Sequence, residues 1–288
     1  MTAAPDILGF FDEPTNSVSY LVADAAERVA AVIDPVLDFD LASGTVSTRS
    51  VDRILAAAAE QGLDIQWVLE THVHADHLSA AAHIREKTGA KVGIGTGVRE
   101  VQAAFGPLFG SGDAADGDFD QLFDNGDTIP LGELTIQVIA TPGHTPACVS
   151  YRIGDAVFVG DTLFMPDYGT ARADFPGGDA GQLYRSIQRI LALSPETRLF
   201  MCHDYKAPGR SDYAWQTTVC EQRAGNVHIG GDATEQAFVE LRNGRDASLS
   251  VPKLLYPAIQ VNIRGGRLPP AQGDGARYLK IPLTLCET

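Results

Sequence analysis

Glu70-Thr71-His72-Val73-His74-Ala75-Asp76-His77 is the stretch that decides the fold. It follows directly on a short apolar run, IQWVLE (65–70), which reads as a buried strand. Three imidazoles and a carboxylate thus crowd together where a strand ends. Strand ends hold ligands rigidly, while the loops beyond leave coordination positions open. The rest of the chain repeats this placement. Gly143-His144 follows LTIQVIA (134–140), Gly160-Asp161 follows AVFV (156–159), and His203 follows RLFM (198–201). A lone surface histidine needs no function. Five histidines and two aspartates gathered at four strand ends read as a metal site.

Outward from this stretch, SVSYLVAD (17–24) and RVAAVIDP (28–35) read as a β-hairpin. A helix follows, with Val51, Ile54, Leu55 and Ala58 on one face and Gly62 as its stop. Ser79 is expected to cap a second helix that Gly89 ends, and KVGIG (91–95) to form another buried strand. Residues 106–127, rich in Gly and Asp, read as a surface loop. Leu134, Ile136 and Val138 alternate with Thr135 and Gln137, the pattern of a half-buried strand. CVSYRI and AVFV form a hairpin about Gly154-Asp155, and a helix carries Leu183, Ile187, Ile190 and Leu191. Strands alternate with helices but hairpins are mixed in. The expected class is α+β, with two packed mixed sheets and helices outside.

The chain has 288 residues and a formal charge of −15, which argues against nucleic-acid binding. Its 44% hydrophobic residues suffice for a sizeable core and exclude a disordered or fibrous protein. The four cysteines, Cys148, Cys202, Cys220 and Cys286, form no CxxC pair and no disulfide framework. Cys148 and Cys202 stand beside motif histidines but read as small buried hydrophobes. The start, MTAAPDILGFFDEP, lacks the features of a secretory signal, and no apolar run is long enough to span a membrane. A cytoplasmic setting is the expectation.

His72-Val73-His74-Ala75-Asp76-His77 resembles the HxHxDH signature of the metallo-β-lactamase superfamily, and Gly143-His144, Gly160-Asp161 and His203 match its later elements in order. The resemblance covers at least residues 18–205. It implies an αββα sandwich with the metal site at one edge of the two sheets. It also implies a single domain over residues 1–288, extended beyond about residue 206. In the superfamily's binuclear hydrolases, His72, His74 and His144 would hold one metal. Asp76, His77 and His203 would hold the other, with Asp161 bridging.

The wording ETHVHADH, TPGHTP (141–146), ARADF (171–175) and HDY (203–205) resembles one branch more closely, the persulfide dioxygenases. That resemblance implies oxidation of glutathione persulfide, or a similar thiol persulfide, by O2 to sulfite and thiol. The implied cofactor is one Fe(2+) per chain, on His72, His144 and Asp161. His74, Asp76, His77 and His203 would surround those ligands without binding iron. Two imidazoles and a carboxylate on one face of Fe(II) leave the opposite face for both reactants. The implied partners are therefore a small-molecule thiol persulfide and O2, with no nucleic acid and no membrane; a homodimer is the oligomer considered.

Arg172 and Tyr205 are the candidate substrate contacts, Arg172 for a glutathione carboxylate. Lys206, Arg210, Arg264 and Arg267 form a candidate basic set for an anionic thiol, though any one of them reads as readily as a solvated side chain. Asp34 resembles a supporting position of the fold, and His83 and His228 are not expected to be ligands. The family's arginine near residues 226–229 is replaced here by His228, which leaves the glutathione clamp unexplained. The alternative function is a glyoxalase II-like thioester hydrolase with two metals, since all seven of its ligands are present.

Overall fold

The structure, a computed structural model, describes residues 4–109 and 118–283. The first of two six-stranded sheets runs Asp6–Asp12, Ser17–Asp24, Val29–Ile33, Asp64–Leu69, Lys91–Gly95 and Gln121–Phe123 from edge to edge. Its first three strands pair antiparallel and the others parallel, so the sheet is mixed. The second runs Thr128–Leu131, Leu134–Ala140, Val149–Ile153, Ala156–Phe158, Arg198–Phe200 and Gln216–Thr218. Here only Ala156–Phe158 and Arg198–Phe200 pair in parallel. A small third sheet sets Val36–Asp40 between Thr45–Ser47 and Leu78–Ser79.

The apolar run 17–24 shows why the layers form. Every residue of that strand is buried, because both of its faces are covered. Val18, Tyr20 and Val22 point between the sheets, where Leu134, Ile136, Val138, Tyr151 and Phe158 of the second sheet meet them. Leu21 and Ala23 point the other way, onto Val51, Ile54 and Ala58 of the helix Arg49–Glu60 and Ile84 of the helix Ala81–Thr88. The second sheet is backed by Leu183, Ile187 and Ile190 of Ala180–Leu191 and by Phe238 of Glu235–Asp246. The order of layers is helix, sheet, sheet, helix. Each fully buried aliphatic or aromatic side chain contributes roughly 1.5–3 kcal/mol by leaving water.

Several local expectations are corrected. Ser79 does not cap the second helix: Ala80 precedes it, and Ser79 ends the strand Leu78–Ser79. Its hydroxyl instead donates to the Glu70 carboxylate while accepting from the Ala81 backbone N–H at 3.0 Å. The predicted loop 106–127 is partly regular. Its first residues finish the helix Val98–Phe109, and Gln121–Phe123 is an edge strand. Residues 110–117 of that prediction, like Cys286, lie outside the described residues. The sequence reading assigned nothing to Asp6–Asp12 or to the C-terminal helices Val219–Gly225, Glu235–Asp246 and Leu255–Asn262.

That last helix braces the site. The buried Asn262 side chain donates to the carbonyls of His74 and His77 at 2.9 and 2.8 Å and accepts from the Ser79 N–H at 2.8 Å. The histidine loop, which has no ladder of its own, is thereby fixed from outside the sheets. Gly143 fixes the next ligand in another way. Its φ is +141°, and a Cβ there would stand 2.3 Å from the backbone of Leu183. Gly143→Ala is therefore expected to lower unfolding free energy by roughly 2–4 kcal/mol, since strain and overlap coincide. Denaturant titration reads this, and a wild-type midpoint would show that the turn before His144 is not so constrained.

Candidate metal centre

Strand direction gathers the site. Asp161 and His203 follow the two parallel strands of the second sheet, so both emerge at one end of it. Leu134–Ala140 runs the same way, two antiparallel steps removed, and delivers His144 there too. The turn after Asp64–Leu69 brings His72, His74, Asp76 and His77 against them. All five histidines are buried.

The donors fall into two groups around Asp161. His72 Nε2 and His144 Nε2 lie 3.9 and 3.6 Å from Asp161 Oδ2. These three side chains can offer ligand atoms all within 4.8 Å of one another, and so can His74, Asp76, His77 and His203 as a second group. His203 Nε2 stands 3.4 Å from Asp161 Oδ1 and 3.3 Å from Asp76 Oδ2. Asp161 thus turns one oxygen to each group.

Every imidazole is held by its other nitrogen. His72 Nδ1 meets Thr71 Oγ1 at 3.0 Å, and His144 Nδ1 donates to the Arg172 carbonyl at 2.7 Å. His74 Nε2 contacts Asp34 Oδ1 at 3.0 Å, His77 Nδ1 contacts Ser17 Oγ at 3.1 Å, and His203 Nδ1 reaches the Asn16 carbonyl at 3.2 Å. Such outward bonds fix ring orientation and leave the inward nitrogen for a metal. The inward atoms His74 Nδ1, His77 Nε2, His203 Nε2, Asp76 Oδ2 and Asp161 Oδ1 are buried and form no hydrogen bond. Buried polar atoms without partners are rare in folded proteins, and five in one cluster fit a cation.

Burial, and then the neighbouring imidazoles, push His72 well below its ordinary value, so it is neutral as a ligand must be. Burial and His74 lower His77 as well. Burial also opposes a charge on His203 and His74, but carboxylates outweigh it. Asp76 and Asp161 raise His203, and Asp34 raises His74. Asp34 itself has a φ of +49°. It accepts from the Thr71 N–H at 2.7 Å and the Thr71 hydroxyl at 2.9 Å, which offsets the strained backbone.

A cavity of about 250 Å³ opens beside the centre, with Asp76, His144 and Asp161 in its wall. Phe164, Tyr168, Phe175 and Tyr205 supply its aromatic surface. Tyr205 stacks on His203 with ring centroids 5.5 Å apart, and burial together with Asp76 and Asp161 keeps its hydroxyl protonated. Arg172 also lines the cavity, but its guanidinium is taken up elsewhere. It forms a two-bond fork to Asp174 at 2.6 and 2.7 Å, donates to the Ser250 carbonyl at 2.8 Å, and lies over Phe175. Its carbonyl also accepts the hydrogen bond from His144 Nδ1.

Lys206, Arg210, Arg264 and Arg267 do not line the cavity. Arg210 instead pairs with Asp204 and Asp167, and Lys206 lies over the Tyr213 ring. Cys148 and Cys202 are buried, the first pushed up to about 12 by burial, as inert thiols should be. His83 stands near Asp52, away from the cluster. His228, Arg242 and Arg245 do line the cavity, and sequence reasoning, which set His228 at the clamp position, missed both arginines. The arginines are spaced i, i+3 in a polar helix, which in a sequence reads as a solvated face.

Residues 12–203 match the model of the metallo-beta-lactamase superfamily. The chain is 51% identical, over 96% of its length and 98% of the other's, to a probable metallo-hydrolase of Burkholderia pseudomallei. It is 44% identical to glyoxylase B2 of Dictyostelium discoideum over 91% of each chain. It spans 66% of the beta-lactamase hydrolase-like protein of Agrobacterium fabrum, at 51% identity. The crystal structure of ETHE1 from Myxococcus xanthus matches with a TM-score of 0.74 at 33% identity, covering 91% of this chain and 100% of that one. The human mitochondrial persulfide dioxygenase ETHE1 is 28% identical over 92% and 91% of the two chains. On its sequence, its layered fold and its histidine cluster, the chain belongs to the metallo-β-lactamase superfamily.

Proposed function

We propose that the chain is a persulfide dioxygenase that works with one iron on His72, His144 and Asp161. The reaction converts a thiol persulfide, O2 and one water into thiol, sulfite and two protons; the terminal sulfur gives up the four electrons that O2 takes. The observation that carries this reading is the position of the triad. His72, His144 and Asp161 can offer ligand atoms within 4.8 Å of one another, and two of these three, His144 and Asp161, lie in the cavity wall, whereas of the other group only Asp76 does. Two imidazoles and one carboxylate on one side, with open space on the other, is the donor set of oxygen-activating Fe(II) enzymes. The likeness to the Myxococcus xanthus structure and to the human persulfide dioxygenase supports it. Bound there, Fe(II) would supply a redox-active centre that accepts both reactants.

The protein's own groups do the rest. Thr71 and the Arg172 carbonyl aim the two ligand nitrogens, while Phe164 and Phe175 exclude water from the reacting sulfur. Tyr205, held protonated, is a hydrogen-bond donor in the cavity, and His203 Nε2 can hold a proton between Asp76 and Asp161.

A second reading has a specific observation in its favour. The partnerless atoms of Asp76, His77 and His203 would suit a second cation, as in a binuclear thioester hydrolase, and the names of several relatives are those of hydrolases or a glyoxylase. O2 uptake decides between them. Purified protein given glutathione persulfide is expected to consume O2 and release sulfite; hydrolysis of a glutathione thioester without O2 uptake would establish the hydrolase instead.

Two substitutions separate the ligand sets. His144→Ala should lose iron and O2 uptake together, and full iron content in that variant would exclude His144 as a ligand. His77→Ala should keep roughly one iron per chain, with activity reduced by about 10- to 100-fold, the usual effect of removing a group that supports ligands. Two metals in the unmodified protein, one of them lost from His77→Ala, would favour the hydrolase.

A further inference from the structure

The cavity is lined by three arginines, and two of them are committed. Arg172 is forked onto Asp174 and bonded to Ser250. Arg242 is buried, pairs with Asp246 at 2.8 Å and donates to the Thr170 carbonyl at 3.1 Å. Arg245, one turn along the same helix, lines the same cavity, and its guanidinium has no ion-pair or hydrogen-bond partner among the described residues. His228 stands in the same wall. The Thr170 backbone N–H donates to His228 Nδ1 at 3.0 Å, which leaves the ring's proton on Nε2 as a donor.

The chain makes room for this imidazole. Gly169 has a φ of +105°, and a Cβ there would lie 2.2 Å from His228 Nδ1. Burial, then Arg242 and Arg245, push His228 down to about 4, so the ring is neutral. Away from the metal ligands, this side of the cavity therefore offers one uncommitted cation and an N–H donor. A cation in such a place has a use. The chain carries a charge of −15, and Asp76 and Asp161 line the same space, so an anionic substrate needs local positive charge to enter.

We propose that Arg245, with His228 Nε2–H beside it, is the receptor for a carboxylate of the substrate. The chain would thus select acidic thiols such as glutathione over neutral ones. The inference rests on the thiol-persulfide reading for its substrate, but its site is defined by this chain's own residues. It also accounts for the arginine missing from 226–229: the charge is supplied by the helix Glu235–Asp246, and His228 supplies a donor next to it.

Binding of an unreactive probe tests it. S-methylglutathione and its diethyl ester, in which both carboxylates are neutralised, are titrated calorimetrically into the protein as purified. Wild type is expected to bind the acid at least roughly tenfold more tightly than the ester, as a charged hydrogen bond allows. Arg245→Gln should lose that preference, and Arg245→Lys should keep part of it. Arg245 is exposed and is not among the buried residues of its helix, Phe238, Arg242 and Asp246, and a circular dichroism melt checks that both variants fold. An unchanged preference in Arg245→Gln, or none in wild type, overturns the proposal. A protein that prefers the acid yet consumes no O2 with its persulfide keeps the receptor and loses the dioxygenase. One that consumes O2 without the preference does the reverse.

Discussion

The metal centre depends on a constraint at each imidazole: one ring nitrogen is bonded outward to the protein, so the other points inward. Five rings obey it; His72 is tethered by its neighbour Thr71, and the other four tethers come from distant parts of the chain. Ser17 and Asn16 lie at the start of the second strand, Asp34 after the third, and Arg172 in a loop of the second half. The tethers fix rotation, which strand ends alone leave free. A tether to a carbonyl also sets where the proton sits. His144 must carry its proton on Nδ1, toward the Arg172 carbonyl, and only its Nε2 can accept a metal.

The fold meets that constraint by layering. Two mixed sheets share an apolar interior in which Tyr20, Phe158 and Phe200 pack edge to face or stacked. With the sheets fixed against each other, the turn after Asp64–Leu69 in one meets the turns after Ala156–Phe158 and Arg198–Phe200 in the other. The isolated bridge between Ser17 and His203 links the two sheets at the centre itself. The C-terminal helix completes the arrangement, since Asn262 holds the carbonyls of His74 and His77. Residues far from the signature in sequence are therefore as necessary to its geometry as its own neighbours.

How much of this was legible depended on the range of the interaction. The hairpin 17–35, the strand 134–140 and the helix over Leu183–Leu191 were readable because period and burial coincide in a few residues. The ligand cluster was readable because each donor follows a strand directly. Ser79 was misread because its hydroxyl has a better partner, Glu70, nine residues back in a neighbouring element. The partners of the Arg172 guanidinium were not legible, because nothing in ARADF reveals that Asp174 folds back onto it or that the Ser250 carbonyl arrives from a later loop. Arg242 and Arg245 were invisible for the opposite reason. They occupy a polar, weakly patterned helix, and only its tertiary position turns them toward the cavity. Long-range polar contacts leave little trace in local sequence.

The central claim is that one iron sits between His72, His144 and Asp161, with Asp76, His77 and His203 outside its ligand set. Anomalous diffraction at the iron absorption edge, on crystals of protein purified without added metal, tests it most directly. The account predicts a single anomalous peak within bonding distance of His72 Nε2, His144 Nε2 and an Asp161 oxygen. A second peak of comparable height among Asp76, His77 and His203 would contradict it.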